Sequence, residues 1–89
     1  MRSVITVVGK DRTGIIAMIS AMLYKYNGNI LDIAQNVLGG IFTMMMLVDI
    51  SELNIPFDRF VVEMENLGAT EKVKIHVMHE DIFNAMHRI

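Results

Sequence analysis

Apolar positions along this chain switch repeatedly between the two-residue period of a strand and the 3.6-residue period of a helix. Val4 to Val8 is a β-branched run closed by Gly9. It suits a strand, because branched side chains are stiff at χ1 and pack well on a pleated surface. From Gly14 the spacing of Ile15, Ile19, Met22, Leu23 and Tyr26 puts these residues on one face of a helix, with Asn27-Gly28 as its left-handed stop. Asn29 to Leu38 reads as a second strand. Gly39-Gly40 is a hairpin signal, since both positions can take positive φ, and Ile41 to Ile50 returns as a more apolar third strand.

Pro56 sits where a first helical turn tolerates a missing N–H. After it, Phe57, Phe60, Val61, Met64 and Leu67 form an apolar stripe opposite Asp58, Glu63 and Glu65. Gly68 reads as the stop of this second helix. Glu71 to His79 alternates, with Val73, Ile75 and Val77 facing one way and Lys72, Lys74 and His76 the other, as in a half-buried strand. The tail, Glu80 to Ile89, carries Ile82, Phe83, Met86 and Ile89 at helical spacing and predicts a short amphipathic helix.

The string β-α-β-β-α-β plus a tail helix predicts an α+β, ferredoxin-like sandwich over residues 1–89, a single domain. Two helices cover one face of a four-stranded antiparallel sheet. The first and third strands, the apolar ones, belong at its centre. The second and fourth carry Asp32, Gln35, Asn36, Lys72 and Lys74, as edge strands should. On the third strand, Phe42, Met44, Met46 and Val48 lie on the face under the helices and Thr43, Met45, Leu47 and Asp49 on the other. Both faces are substantially apolar. The first helix is apolar off its main stripe as well, at Ile16, Ala17, Met18 and Ala21. One layer of helices cannot cover both faces of such a sheet, which predicts self-association as a homodimer or higher homo-oligomer.

Composition agrees. Hydrophobic residues make up 53% of only 89 positions, more than one small core needs. Eight basic residues stand against ten acidic, a net charge of −2, so there is no basic footprint for nucleic acid or an anionic membrane. The apolar stretch from Ile15 to Tyr26 is interrupted by Ser20 and Lys25 and is shorter than the roughly 20 residues of a membrane span. The first residues do not read as a secretory signal, and cysteine is absent, which fits a reducing, cytoplasmic setting. His76 and His79 fall on opposite faces of a strand and His87 on the solvated side of the tail helix, so no metal or other cofactor is expected. No nucleophile is paired with a base, and Asp11 is the one acid in a plausible pocket. An enzyme is not expected.

That pocket is the loop Gly9-Lys10-Asp11-Arg12-Thr13-Gly14-Ile15, which leads into a helix amino end where unpaired N–H groups welcome an anion. It is not a phosphate-binding P-loop, because Ile15 and Ile16 follow Gly14 where Lys and Ser or Thr would stand. Two readings remain: plain capping by Asp11 or Thr13, or a ligand site.

Val8 to Ile15 resembles the opening turn of ACT domains, Gly-x-Asp-Arg/Lys-x-Gly-Ile/Leu. Asn29-Ile30-Leu31-Asp32-Ile33 is similar to that family's second strand and Phe42 to Asp49 to its third. The likeness runs over essentially the whole chain and points to stand-alone single-ACT proteins, related to the ACT modules of the glycine cleavage system transcriptional repressor. It implies paired domains that bind a small effector, often an amino acid, between this loop and the neighbouring copy. Gly9, Asp11, Arg12, Gly14 and Asn29 are the implied ligand-binding residues. A zwitterion would set its carboxylate on the helix N–H groups and Arg12, and its ammonium near Asp11 or the Asn29 amide. Gly9 departs from relatives that carry a histidine there. The alternative is a protein–protein interaction module with a vestigial ligand site, docking to a metabolic enzyme or regulator.

Overall fold

The computed structural model describes residues 1–86. Along the chain run β1 (Arg2–Lys10), α1 (Ile15–Tyr26), β2 (Asn29–Leu38), β3 (Ile41–Asp49), α2 (Phe57–Glu71), β4 (Val73–His79) and α3 (Glu80–Met86). The strands form one antiparallel sheet in the order β2-β3-β1-β4, so the two most apolar strands are central, as expected. The ferredoxin-like sandwich and its tail helix are therefore present. Histidine 87 and the other tail residues beyond Met86 lie outside the described residues.

Alternation decides which side chains enter the core. Ser3, Ile5 and Val7 of β1, Phe42, Met44, Met46 and Val48 of β3, and Val73, Ile75 and Val77 of β4 are buried beneath the helices. Ile15, Ile19 and Leu23 of α1 and Phe60 and Met64 of α2 close over them. Each such aliphatic or aromatic side chain contributes about 1.5–3 kcal/mol when fully removed from water. The hydroxyl of buried Ser3 donates to the Met78 carbonyl at 2.8 Å, so its burial leaves no polar group unpaired. Of β2 only Ile30, partly buried, packs against this core.

The second helix corrects the sequence reading. It does not stop at Gly68 but runs to Glu71, and Lys72, at φ 62°, is the left-handed cap whose N–H donates to the Gly68 carbonyl. Residue 71 is thus helical, and β4 starts at Val73. A glycine followed by polar residues looks like a stop in sequence. Gly68 instead exists for close packing, since a Cβ there would lie 2.6 Å from the Val73 carbonyl oxygen and 3.1 Å from the Ile75 nitrogen. The tail helix follows β4 without a break, and the Asp81 N–H donates to His79 Nδ1 at 3.1 Å.

Two outcomes follow. Gly68→Ala would gain about 1 kcal/mol of helix propensity but forces a methyl into backbone, so a net loss of about 1–3 kcal/mol is expected in urea unfolding. Asp49 accepts hydrogen bonds from the Ser51 N–H, at 2.9 Å, and from the Ser51 hydroxyl. With the N-terminal ammonium and Arg2 nearby, these hold its carboxyl below the ordinary 3.8. A depressed folded pKa stabilises above the unfolded value and ceases to do so as pH falls through the folded one. Melting temperature should therefore drop below about pH 4, and Asp49→Asn should flatten part of that acid limb.

Candidate functional site

The chain leaves β1 at Lys10 and must turn into α1 within four residues. The Asp11 N–H donates to the Gly40 carbonyl at 2.9 Å, which ties this loop to the tip of the β2–β3 hairpin. Gly14 makes the entry into α1, with φ 87° and ψ 0°, a left-handed conformation that disfavours any side chain. Gly14 itself occupies the N-cap in place of Asp11 or Thr13, and among the described residues no side chain accepts from the first turn of α1. The plain-capping reading therefore fails. The first helical bond is Met18 N–H to the Gly14 carbonyl, at 2.9 Å.

A groove of about 560 Å³ opens beside this turn. Asp11, Arg12 and Gly14 line one wall, Ile15, Ile16 and Ala17 the helix end, and Gln35, Asn36, Val37 and Phe42 the sheet side. That volume lies in the range of small-molecule sites, and the lining sets the apolar Ile15, Ile16, Val37 and Phe42 among polar groups on two walls, Asp11 and Arg12 on the loop and Gln35 and Asn36 on the sheet. Among the described residues the Asp11 carboxylate has no ion-pair or side-chain hydrogen-bond partner.

Arg12 is differently placed. Its Nη2 donates to Glu71 Oε1 at 2.9 Å and to the Glu71 carbonyl at 3.2 Å, and Nη1 to the Thr13 carbonyl at 3.4 Å. The guanidinium thus sits on the carboxyl end of α2, where a cation is favoured by the helix dipole. It lines the groove while most of its donors are already used.

Of the five residues anticipated from sequence, the structure brings Asp11, Arg12 and Gly14 together on the groove. Gly9 lies within β1 opposite Val73, and a Cβ there would meet Val73 Cγ1 at 2.7 Å, so its lack of a side chain makes room for Val73. Asn29 pairs with Asp49 at the opposite end of the sheet from Leu38, which pairs with Ile41 beside the loop. Nine steps of strand separate the two ends, roughly 30 Å. Sequence reasoning missed Gln35 and Val37 as groove residues. Their signal was available in the hairpin, which folds the carboxyl half of β2 back beside Gly40.

His76 lies on an exposed strand position with its Nδ1 3.9 Å from Glu65, and His79 is engaged with the α3 amino end. Among the described residues no three His, Cys, Asp or Glu side chains are grouped to hold a metal ion, and no helix is long and apolar enough to cross a membrane.

Sheet order and helix placement define a ferredoxin-like domain with a lateral groove at the β1–α1 turn. The chain belongs to the ACT domain family, whose model matches residues 2–77. A UPF0237 protein of Listeria innocua is 47% identical over 89 residues, 100% of each chain. One from Methanocaldococcus jannaschii is 49% identical over 88 residues, 99% of this chain and 98% of its own. Neither bears a catalytic name. Among solved structures, an ACT domain protein from Streptococcus pneumoniae superposes with a TM-score of 0.82 at 42% identity over 98% of each chain. A protein assigned as a glycine cleavage system transcriptional repressor does so at 0.72 and 27% identity, over 85% of this chain and 43% of its own.

The groove's two sides should respond differently to substitution. Glu71→Gln breaks a solvent-exposed ion pair and should cost less than about 1 kcal/mol in chemical unfolding. Phe42→Ala removes a buried groove-floor ring and should cost about 3–5 kcal/mol.

Proposed function

We propose that this chain is a regulatory ACT module, a single domain acting in the cytoplasm, that pairs with a second copy and binds an amino acid or similar metabolite in the groove at Asp11. The observation that carries the reading is the state of β2. Every residue from Leu31 to Leu38 is exposed, and among the described residues one edge of the strand has no neighbour. Leu31, Ile33, Val37 and Leu38 all show large apolar surface. A long, free, apolar edge is a template for another strand. Antiparallel pairing of two β2 strands about a twofold axis between Ile33 and Ala34 sets Asn29 of the second copy opposite Leu38. That carries the distant asparagine to the groove end, where the family resemblance requires it. Ala17 of α1, exposed and lining the groove beside Gln35, Asn36 and Val37, offers the pair a second contact.

In the resulting site the effector's carboxylate meets the first-turn N–H groups of α1, which no side chain among the described residues caps. Its ammonium meets Asp11, and its side chain lies against Ile16, Val37 and Phe42. The glycine cleavage repressor likeness supports an amino acid as the effector class. One observation favours the second reading, an interaction module with a vestigial site: Glu71 already holds the Arg12 guanidinium.

Calorimetry and thermal shift across the twenty amino acids separate the two. Regulation predicts saturable binding of one or a few, with about 2.7 kcal/mol of stabilisation at a hundredfold excess over the dissociation constant. Asp11→Ala and Asn29→Ala should each weaken binding at least about tenfold, since a charge-assisted hydrogen bond contributes about 1.5–3 kcal/mol. No heat and no shift with any amino acid, from a protein that is nonetheless dimeric, would sink the amino-acid reading and leave the interaction module.

A further inference from the structure

The sheet face turned away from α1 and α2 is divided into two unequal environments. Val4 and Val8 both point to it from β1, four residues apart, yet Val4 is 6% exposed and Val8 46%. The difference is α3. It folds back from the end of β4 over one end of this face, where Arg2 pairs with Glu80 at 2.6 Å and Phe83 shares a pocket with Val4 and Leu47. Among the described residues nothing covers the other end, which holds a separate groove of about 360 Å³ between Thr6, Val8, Ala34, Thr43 and Met45. The outward side of α3 is also unsatisfied. Ile82 and Met86 are 55% and 64% exposed, and the Asp81 side chain beside them is in solvent.

We infer that the bare half of this face docks the α3 of a second copy of the chain, with each copy's helix covering the half that the other leaves open. Symmetry and charge both select this occupant. A twofold axis lying across the strands, near Thr6 and Met45, turns one end of the face onto the other while keeping the β4 edges aligned. It therefore brings each α3 from above its own Val4 to above the other copy's Val8, roughly 13 Å away along the strand, with room for two helices side by side between the sheets. The contact is isologous, as a closed dimer requires.

The same operation matches charges. The bare half is bordered on its β4 side by Lys74, with Lys72 just beyond, and both are exposed. The start of α3, also on the β4 side, carries Asp81. Acidic start thus meets basic border, and the Ile82 and Met86 surface meets Val8 and Met45. A foreign partner would need to reproduce both matches, whereas this chain already contains them. The surface is separate from the β2 edge, so the contact does not depend on the effector reading, and both together would build a tetramer of two edge-paired dimers.

Light scattering and sedimentation of the full chain test this. Met45→Glu and Ile82→Glu alter exposed positions on the two complementary surfaces, and each should halve the mass of the wild-type assembly while the thermal melt stays cooperative. Lys74→Glu and Asp81→Lys should each raise the dissociation constant about tenfold at low salt, and the double exchange should return it to within about threefold of wild type. Ile33→Lys, which blocks the β2 edge, should leave the face contact intact; from a tetramer, Ile33→Lys with Met45→Glu together should reach the monomer mass of 10.1 kDa, and from a dimer held by the face alone Met45→Glu should reach it by itself. A wild-type monomer, a mass indifferent to Met45→Glu, or a double charge exchange no tighter than either single one would overturn the inference.

Discussion

The close approach of α2 to β4 around Val73 is the contact on which the rest of the groove depends. Gly68 brings the helix so near that a methyl would strike the Val73 carbonyl, and Gly9 on β1 gives the Val73 side chain the space a Cβ would fill. Neither approach survives with a larger residue, because protein interiors are packed too densely to absorb a carbon atom at such distances. The consequence is positional. With Val73 held between two glycines, the end of α2 lies against the end of β1, and Glu71 reaches Arg12 two residues beyond the strand. The β1–α1 turn is then pinned twice, by Arg12 to α2 and by the Asp11 N–H to the Gly40 carbonyl of the hairpin.

The sheet is protected unevenly, and that asymmetry shapes what the molecule can do. Three strands supply the buried core, and β2 adds only the partly buried Ile30 against it. A β-bulge between Ile30 and Asp32 shifts the register of β2 against β3, so alternation resumes with Ile33, Gln35 and Val37 on the helix side of the sheet. There Gln35 and Val37 face the amino end of α1 across the groove. The groove is therefore a product of incomplete coverage: two helices are too few to roof four strands. The apolar surface so exposed costs solubility in an isolated copy and supplies affinity in an assembled one.

The element order, the identity of the central strands and the hydrophobic faces could be read from Val4, Phe42, Val73 and their period-two neighbours, because alternation and amphipathic spacing are local consequences of strand and helix geometry. Likewise Asp11 and Gly14 were recognisable as site candidates, since an acid-bearing loop closed by glycine at a helix entry brings a carboxylate and backbone N–H groups close together. The end of α2 was not legible. Gly68 can signal a left-handed stop or a close contact, and only the position of Val73, five residues on in sequence but against the helix in space, distinguishes the two. Capping was equally hidden, because it turned on Gly14 rather than Thr13 becoming the N-cap.

By itself, then, the sequence determined which segments form strands and helices, which of their faces are apolar, and that more apolar surface exists than one core can hold. Tertiary structure decided where the surplus lies. The hairpin's return places Gln35 and Val37 at the groove and sends Asn29 to the far end of the sheet, and the fold-back of α3 buries Val4 while sparing Val8. The physical reason is one of range. Periodicity records what each residue's neighbours in the chain require, whereas a groove is defined by elements that meet only after loops of several residues have closed.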